Sequence, residues 1–192
     1  MLRGTEVGSA RLGYDLLIGN GATASATADD NEAKSVALAL TSEAIDNLNV
    51  GAALYWDRFP AGSRNKLGDP LPRDMDQLLL SGKFIYLAPD VELMAEYFRV
   101  TNDSGGPDES TSNSFYVYGG YRSGKQVTYV RYDRLSFEPT EPFYKPTDEN
   151  AFLLGFRYEF SYISVLKFEY QTVRPGQADT VNRFAVQIAV GF

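Results

Sequence analysis

The chain has no cysteine and no histidine. Without cysteine there is no disulfide framework and no thiol chemistry. Without histidine, Ser-His-Asp and Cys-His catalysis and His-ligated metal sites are excluded. A long apolar run is missing too: no charge-free stretch approaches the ~18 residues that a membrane helix requires. Basic charge is in deficit, with 18 Lys and Arg against 25 Asp and Glu and a net charge of −7. The resulting pI near 4.7 argues against a nucleic-acid partner and suits an exported protein with acidic loops. Met1-Leu2-Arg3-Gly4 does not open a signal peptide, because no basic segment, apolar segment and small-residue cleavage site follow. The expectation is that a precursor segment was removed or that the chain begins inside a longer protein.

What is present is aromatic and glycine-rich: 13 Tyr, 12 Phe and 17 Gly in 192 residues, with an ordinary apolar fraction of 44%. Alternation of these residues suits an all-β protein of many short strands. By length, residues 1–192 make one domain. A barrel strand crosses a membrane with only ~9–11 alternating residues, so such spans hide inside a negative mean hydropathy.

The clearest strand is the last stretch, Arg183 to Phe192. Phe184, Val186, Ile188, Val190 and Phe192 share one face, and Arg183, Ala185, Gln187, Ala189 and Gly191 share the other. An apolar strand that ends on an aromatic residue resembles the C-terminal signature of outer-membrane barrels, in which lipid covers the apolar face. A buried terminal strand of a soluble sandwich is the other reading of this stretch.

Further strands are expected over 1–6, 10–19, 33–41, 48–57, 77–87, 91–100, 114–122, 126–135, 151–160 and 163–173. The stretch 33–47 also fits a helix, since Ala33, Val36, Ala37, Leu40 and Ala44 follow helical spacing. Tight turns such as Ala88-Pro89-Asp90 and Ser123-Gly124-Lys125 alternate with long polar loops, of which 58–76 is the longest. All short turns then lie on one side and all long loops on the other, as in a transmembrane meander. The fold class expected is an all-β, antiparallel, up-and-down transmembrane β-barrel with about 10–12 strands in this chain, as part of a larger barrel. Aromatics fall in two bands: Tyr86, Tyr121, Phe160, Tyr162 and Phe192 beside tight turns, and Trp56, Phe59, Phe137, Phe152 and Phe184 near long loops. Two interfacial girdles are the expected reading.

Three strands carry opposite charges two residues apart on one face: Arg131 and Asp133, Arg157 and Glu159, Lys167 and Glu169. The other faces are apolar, for instance Val130 and Tyr132. Such charges in hydrocarbon cost several kcal/mol each, in the range of about 2–7, and a wet lumen removes most of that. The polar faces therefore mark the inside. The candidate pore-lining residues are Lys83, Glu96, Tyr129, Arg131, Asp133, Arg157, Glu159, Lys167, Glu169 and Arg183, with Glu92 and Arg122 on similar faces. The charges are read first as a ladder that holds the wall and second as a filter for ions.

Catalytic readings fare poorly on sequence. Glu159 and Glu169 could meet across a hairpin, but each has a cation two residues away, so ordinary ion pairs are the better reading and no enzyme is expected. Gly105-Gly106 and Gly119-Gly120 lack the strand–loop–helix context of a phosphate cradle. The acidic groups Asp29, Asp30 and Glu32, and Asp103, Asp108 and Glu109, read as solvated loop charge, so no metal and no cofactor are expected.

The stretches 11–21 (Arg11-Leu12-Gly13-Tyr14-Asp15-Leu16-Leu17-Ile18-Gly19-Asn20-Gly21), 128–135, 154–158 and 166–170 resemble porin-like outer-membrane proteins of Gram-negative bacteria. The resemblance runs over nearly the whole chain and looks like the C-terminal half of such proteins. It implies a barrel of the cell outer membrane, a homotrimer in many members, that passes small solutes by diffusion. It also implies contact with the lipid bilayer and lipopolysaccharide, and recognition of Phe192 by the outer-membrane assembly machinery. Two alternatives stay open: a structural or adhesive barrel with a plugged lumen, and a soluble ligand-binding β-barrel.

Overall fold

The computed structural model describes residues 1–20, 34–106 and 109–191. Phe192, the acidic group Asp29, Asp30 and Glu32, and Asp108 lie outside them. Among the described residues, eleven strands form one sheet in which every strand pairs only with its sequence neighbours. They are β1 (Leu2–Val7), β2 (Leu12–Gly19), β3 (Ser35–Ile45), β4 (Leu48–Phe59), β5 (Met75–Leu87), β6 (Val91–Asp103), β7 (Ser110–Ser123), β8 (Gln126–Phe137), β9 (Glu149–Ser161), β10 (Ser164–Pro175) and β11 (Val181–Val190). Every pairing is antiparallel. β1 and β11 each have one neighbour, so the sheet does not close on itself. This is the expected up-and-down order and strand number, in the incomplete form.

The stretch that also fits a helix is strand β3 from Ser35 onward. Pairing explains the choice: Val36, Leu38 and Leu40 face Trp56, Leu54 and Ala52 on β4, and Ile18, Leu16 and Tyr14 on β2. Two flanking ladders satisfy its backbone and outweigh a local helical preference.

Strands also run further at the long-loop end than their apolar alternation suggests. β6 continues through Thr101, Asn102 and Asp103, and β7 begins at Ser110. Polar residues there still complete the ladder, and polarity alone does not end a strand outside hydrocarbon.

The register sorts the side chains into two faces. On the apolar face Leu154 is 48% exposed, Phe184 69% and Ile188 71%. Among the described residues none covers this face, which matches a lipid-facing band. The other face is polar along most of its length. At its long-loop end it carries an apolar cluster of buried residues, Phe59, Leu71, Met75 and Phe143, with Tyr144 against it.

The girdle reading needs correcting at two positions. Tyr121, Phe160, Phe152 and Phe184 are exposed on the apolar face. Phe59 instead faces Met75 and packs on Phe143 from the polar side, ring centroids 4.8 Å apart. Phe137 faces Ser112 and lies 6.1 Å from the Tyr144 ring. Both have the parity of the polar face, which nearness to a loop does not reveal.

Candidate functional site

All ten candidate residues share the polar face. The register carries it from Lys83 opposite Glu96, through Tyr129 opposite Gly155 and Asp133 opposite Ala151, to Lys167 opposite Arg157 and Gln187, and to Arg183 opposite Gln171. The residues are not equivalent. Arg131 pairs with Asp133 and stacks over the Tyr116 ring at 4.4 Å. Lys167 pairs with Glu169 at 2.8 Å. Lys83, Glu96 and Arg183 make no ion pair among the described residues.

Arg157 and Glu159 belong to a four-charge network. Arg122 donates through both terminal nitrogens to Glu159, at 2.6 and 3.1 Å. Glu92 accepts from Arg122 at 2.9 Å, from Arg157 at 2.6 Å and from the Tyr118 hydroxyl at 2.9 Å. Arg157 closes the circuit onto Glu159 at 3.0 Å. The group lies over fully buried Val127, which faces both Arg122 and Arg157. Each charge is compensated within the wall, so the network is a brace near the tight turns.

One expectation about carboxylates is corrected. Glu159 lies beside Val165 and Glu169 beside Gly155. Four residues of strand separate them, roughly 13 Å, and they cannot share one proton or one substrate atom.

Sequence reasoning missed the other half of the site. The 138–148 loop turns over the polar face and is held there by Glu141. Its Oε1 accepts from the Asn102 amide at 2.6 Å and from the backbone of Phe143 and Tyr144 at 2.9 and 3.1 Å. Its Oε2 accepts from Ser110 at 2.6 Å and Ser112 at 3.1 Å. Gln77 donates to Asn102 at 2.8 Å and extends the chain to β5. Glu141, Asn102, Ser110, Ser112 and Gln77 are all buried. One carboxylate thus fastens the β8–β9 loop to β6 and β7, with β5 linked through Asn102.

The 60–74 loop meets it from the other side. Asn65 donates to the Pro142 carbonyl at 3.2 Å, the Lys66 amide donates to the Phe143 carbonyl at 2.9 Å, and the Lys66 ammonium sits 5.6 Å from the Phe143 ring. Burial raises the Tyr144 phenol above its usual range. The Ala61 amide, and then Arg58, hold the Asp74 carboxylate below its usual range. The two loops together form a bar across the polar face at the long-loop end, above the charged wall. A sequence signal existed in Pro139, Pro142 and Pro146, but nothing in it told an inward loop from an outward one.

No family profile and no curated protein matches the sequence. Solved structures do. A form of OmpT, an outer membrane protein of Vibrio cholerae, with loop L8 deleted aligns with a TM-score of 0.69 at 18% identity, covering 93% of this chain and 58% of that one. OmpT expressed in the outer membrane aligns at 0.64 and 16%, covering 94% and 64%. In-vitro folded OmpT in a trimer form aligns at 0.60 and 16%, covering 96% and 66%. The chain therefore spans about three fifths of the length of these proteins. These matches correct the expectation that the chain is no enzyme: likeness to OmpT at 16–18% identity establishes a fold and excludes no activity built on it, so that exclusion is withdrawn. The fold and the exposed apolar face agree: by fold this is an outer-membrane β-barrel chain.

Proposed function

We propose that residues 1–192 form one domain, the wall of a water-filled outer-membrane channel through which small solutes or ions diffuse passively. The observation that carries this reading is the segregation of ionised side chains: Glu92, Glu96, Lys83, Arg122, Arg131, Asp133, Arg157, Glu159, Lys167, Glu169 and Arg183 all occupy one face of a sheet whose other face is apolar and exposed up to the charges of its long-loop end, such as Arg58, Arg99, Arg134 and Arg174. Only water covers such a face cheaply. Further strands would complete the ring beyond the one-neighbour edges β1 and β11, and the wall would then be wide enough for an aqueous lumen. The bar made by the 60–74 and 138–148 loops narrows it, and Lys83, Glu96 and Arg183, which lack internal ion pairs, are left to meet passing ions. A three-copy assembly is part of the proposal, in line with the trimer form of OmpT.

The test is single-channel conductance of the protein in planar bilayers. Stepwise ohmic conductance is the expected result. A silent membrane despite correctly folded, inserted protein defeats the channel. The second reading, a plugged structural barrel, draws on the same bar: Glu141 accepts five hydrogen bonds and holds the loop firmly. A protein that conducts only after Glu141→Ala would favour it.

A further inference from the structure

The polar face holds a hollow that neither the brace nor the bar uses. It measures about 400 Å³ and lies on β6 to β9. In register, Phe98, Ser114, Leu135 and Glu149 stand in one line across these four strands. Two residues nearer the tight turns the line reads Glu96, Tyr116, Asp133 and Ala151. Ser114 and Ala151 are small and form the floor; Phe98, Leu135 and Tyr116 form the walls. Two residues the other way on β7 is Ser112, whose hydroxyl is taken by Glu141. The hollow therefore begins next to the fastening of the bar, where a solute that has passed the bar arrives.

Its chemistry is divided. Phe98 and Leu135 are left half-buried on the face turned to water, and such a wall is where the apolar part of a ligand gains most by burial. The two ends are charged. At the turnward end Arg131 leans back along β8 to Asp133, donating from Nε and Nη2 at 2.8 and 2.5 Å, and its guanidinium lies over the Tyr116 ring. These contacts fix the plane of the fork. They use two of its five N–H donors, and 42% of the side chain stays exposed. At the other end Glu149 is exposed and forms no ion pair or side-chain hydrogen bond among the described residues. The Ser114 hydroxyl between them is equally unengaged.

Tyr116 and Asp133 face each other, so the guanidinium held by both sits at their level. Two residues of strand, about 7 Å, and one to two strand spacings, about 5–10 Å, separate that level from the Glu149 backbone. The fixed positive charge and the free negative one thus stand roughly 9–12 Å apart, with the apolar wall between them. A simple amine would leave the Arg131 donors unused, and a simple carboxylate would leave Glu149 unused. A zwitterion with an apolar middle answers both ends. An extended peptide advances about 3.3–3.6 Å per residue, so three residues span about 10 Å.

We propose that this hollow binds short apolar peptides of about three residues: the α-ammonium at Glu149, the terminal carboxylate on the free donors of Arg131, and the middle side chain over Ser114 between Phe98 and Leu135. This rests on the polar face being the wall of a wet lumen, and it gives that lumen a solute class. The experiment is isothermal titration calorimetry of the intact protein in detergent with the peptide Ala-Leu-Ala, its N-acetyl form and its C-terminal amide. The free peptide should bind in the millimolar range or tighter, and each cap should weaken it about fivefold, the worth of one exposed ion pair. Acetylation should cost nothing further in E149Q, nor amidation in R131Q. S114L, which fills the floor, should bind none of the three. Equal binding of free and acetylated peptide, an acetylation penalty that survives in E149Q, or undiminished binding by S114L each overturns the proposal. If a variant loses its heat-modifiable folded band, the comparison of capped and free peptides on the wild type decides alone. Planar-bilayer conductance tests the channel separately. Silence with the peptide still bound defeats the channel and leaves the hollow; ohmic conductance without peptide binding defeats the hollow and leaves the channel.

Discussion

The Tyr129 hydroxyl donates to Glu169 Oε1 at 2.8 Å by reaching from β8 across the full width of β9 to β10. The ring crosses directly above Gly155, where any Cβ would overlap it, and the Lys167 ammonium lies 5.7 Å from the ring while pairing with the same carboxylate. On its other side Tyr129 faces Gly120, and its ring lies 5.2 Å from that of Tyr118. Gly155 thus lets Tyr129 lie flat along the wall and tie three strands together, and Gly120 leaves room for the neighbouring Tyr118 ring.

Gly155→Val should lift the Tyr129 ring, break its bond to Glu169 and destabilise the folded barrel by about 1–3 kcal/mol. The temperature at which the heat-modifiable band disappears in detergent measures this. Unchanged heat resistance would mean that the ring has room the structure does not show.

Glu141→Ala removes the fastening of the 138–148 loop and leaves buried donors on Asn102 and Ser110 without their acceptor, at a cost of about 1–3 kcal/mol. Protease should cut the loop faster, and conductance should rise as the bar retreats from the polar face. A channel of unaltered conductance with a freely cleaved loop would show that the bar does not limit flow.

Arg122→Ala and Arg183→Ala should separate brace from filter. Arg122 serves two carboxylates in the wall, and Glu92 is left nearly buried with one guanidinium fewer. Its loss should destabilise the protein by about 1.5–3 kcal/mol. Arg183 makes no ion pair among the described residues and is exposed, so its loss should change stability by less than about 0.5 kcal/mol yet shift the reversal potential under a salt gradient. A common effect of both variants on selectivity, with none on stability, would contradict the division.

The 60–74 loop should respond to acid through Asp74. Its folded pKa is depressed by the Ala61 amide first and Arg58 second. The stabilisation is therefore present above the ordinary carboxylate range near pH 3.9 and is lost as pH falls through the lower folded value. Hydrogen-exchange protection of residues 60–74, taken relative to the intrinsic rate at each pH, should fall below about pH 4 in the wild type. Asp74→Asn should exchange quickly at neutral pH and show no such step.

Much of this was legible in the linear order of residues. Alternation along Leu48–Phe59 or Val181–Val190 fixes which side chains share a face, because period 2 is a property of the extended backbone itself. The alternation of tight turns with long loops fixes the up-and-down order, and the ion pairs two residues apart, such as Arg157 with Glu159, follow from the same period. Register belongs to the tertiary structure. Only strand pairing places Glu92 of β6 against Arg157 of β9, 65 positions away, or separates Glu159 from Glu169. The direction of a loop is equally out of reach of local rules. Glu141 reads as one more acid in a Pro-rich connection until Asn102, Ser110 and Ser112 converge on it from β6 and β7. Local sequence sets what each strand shows to either side; pairing across the sheet sets which of those displays meet, because that choice depends on partners distant in the chain and on hydrogen bonds no single segment can make alone.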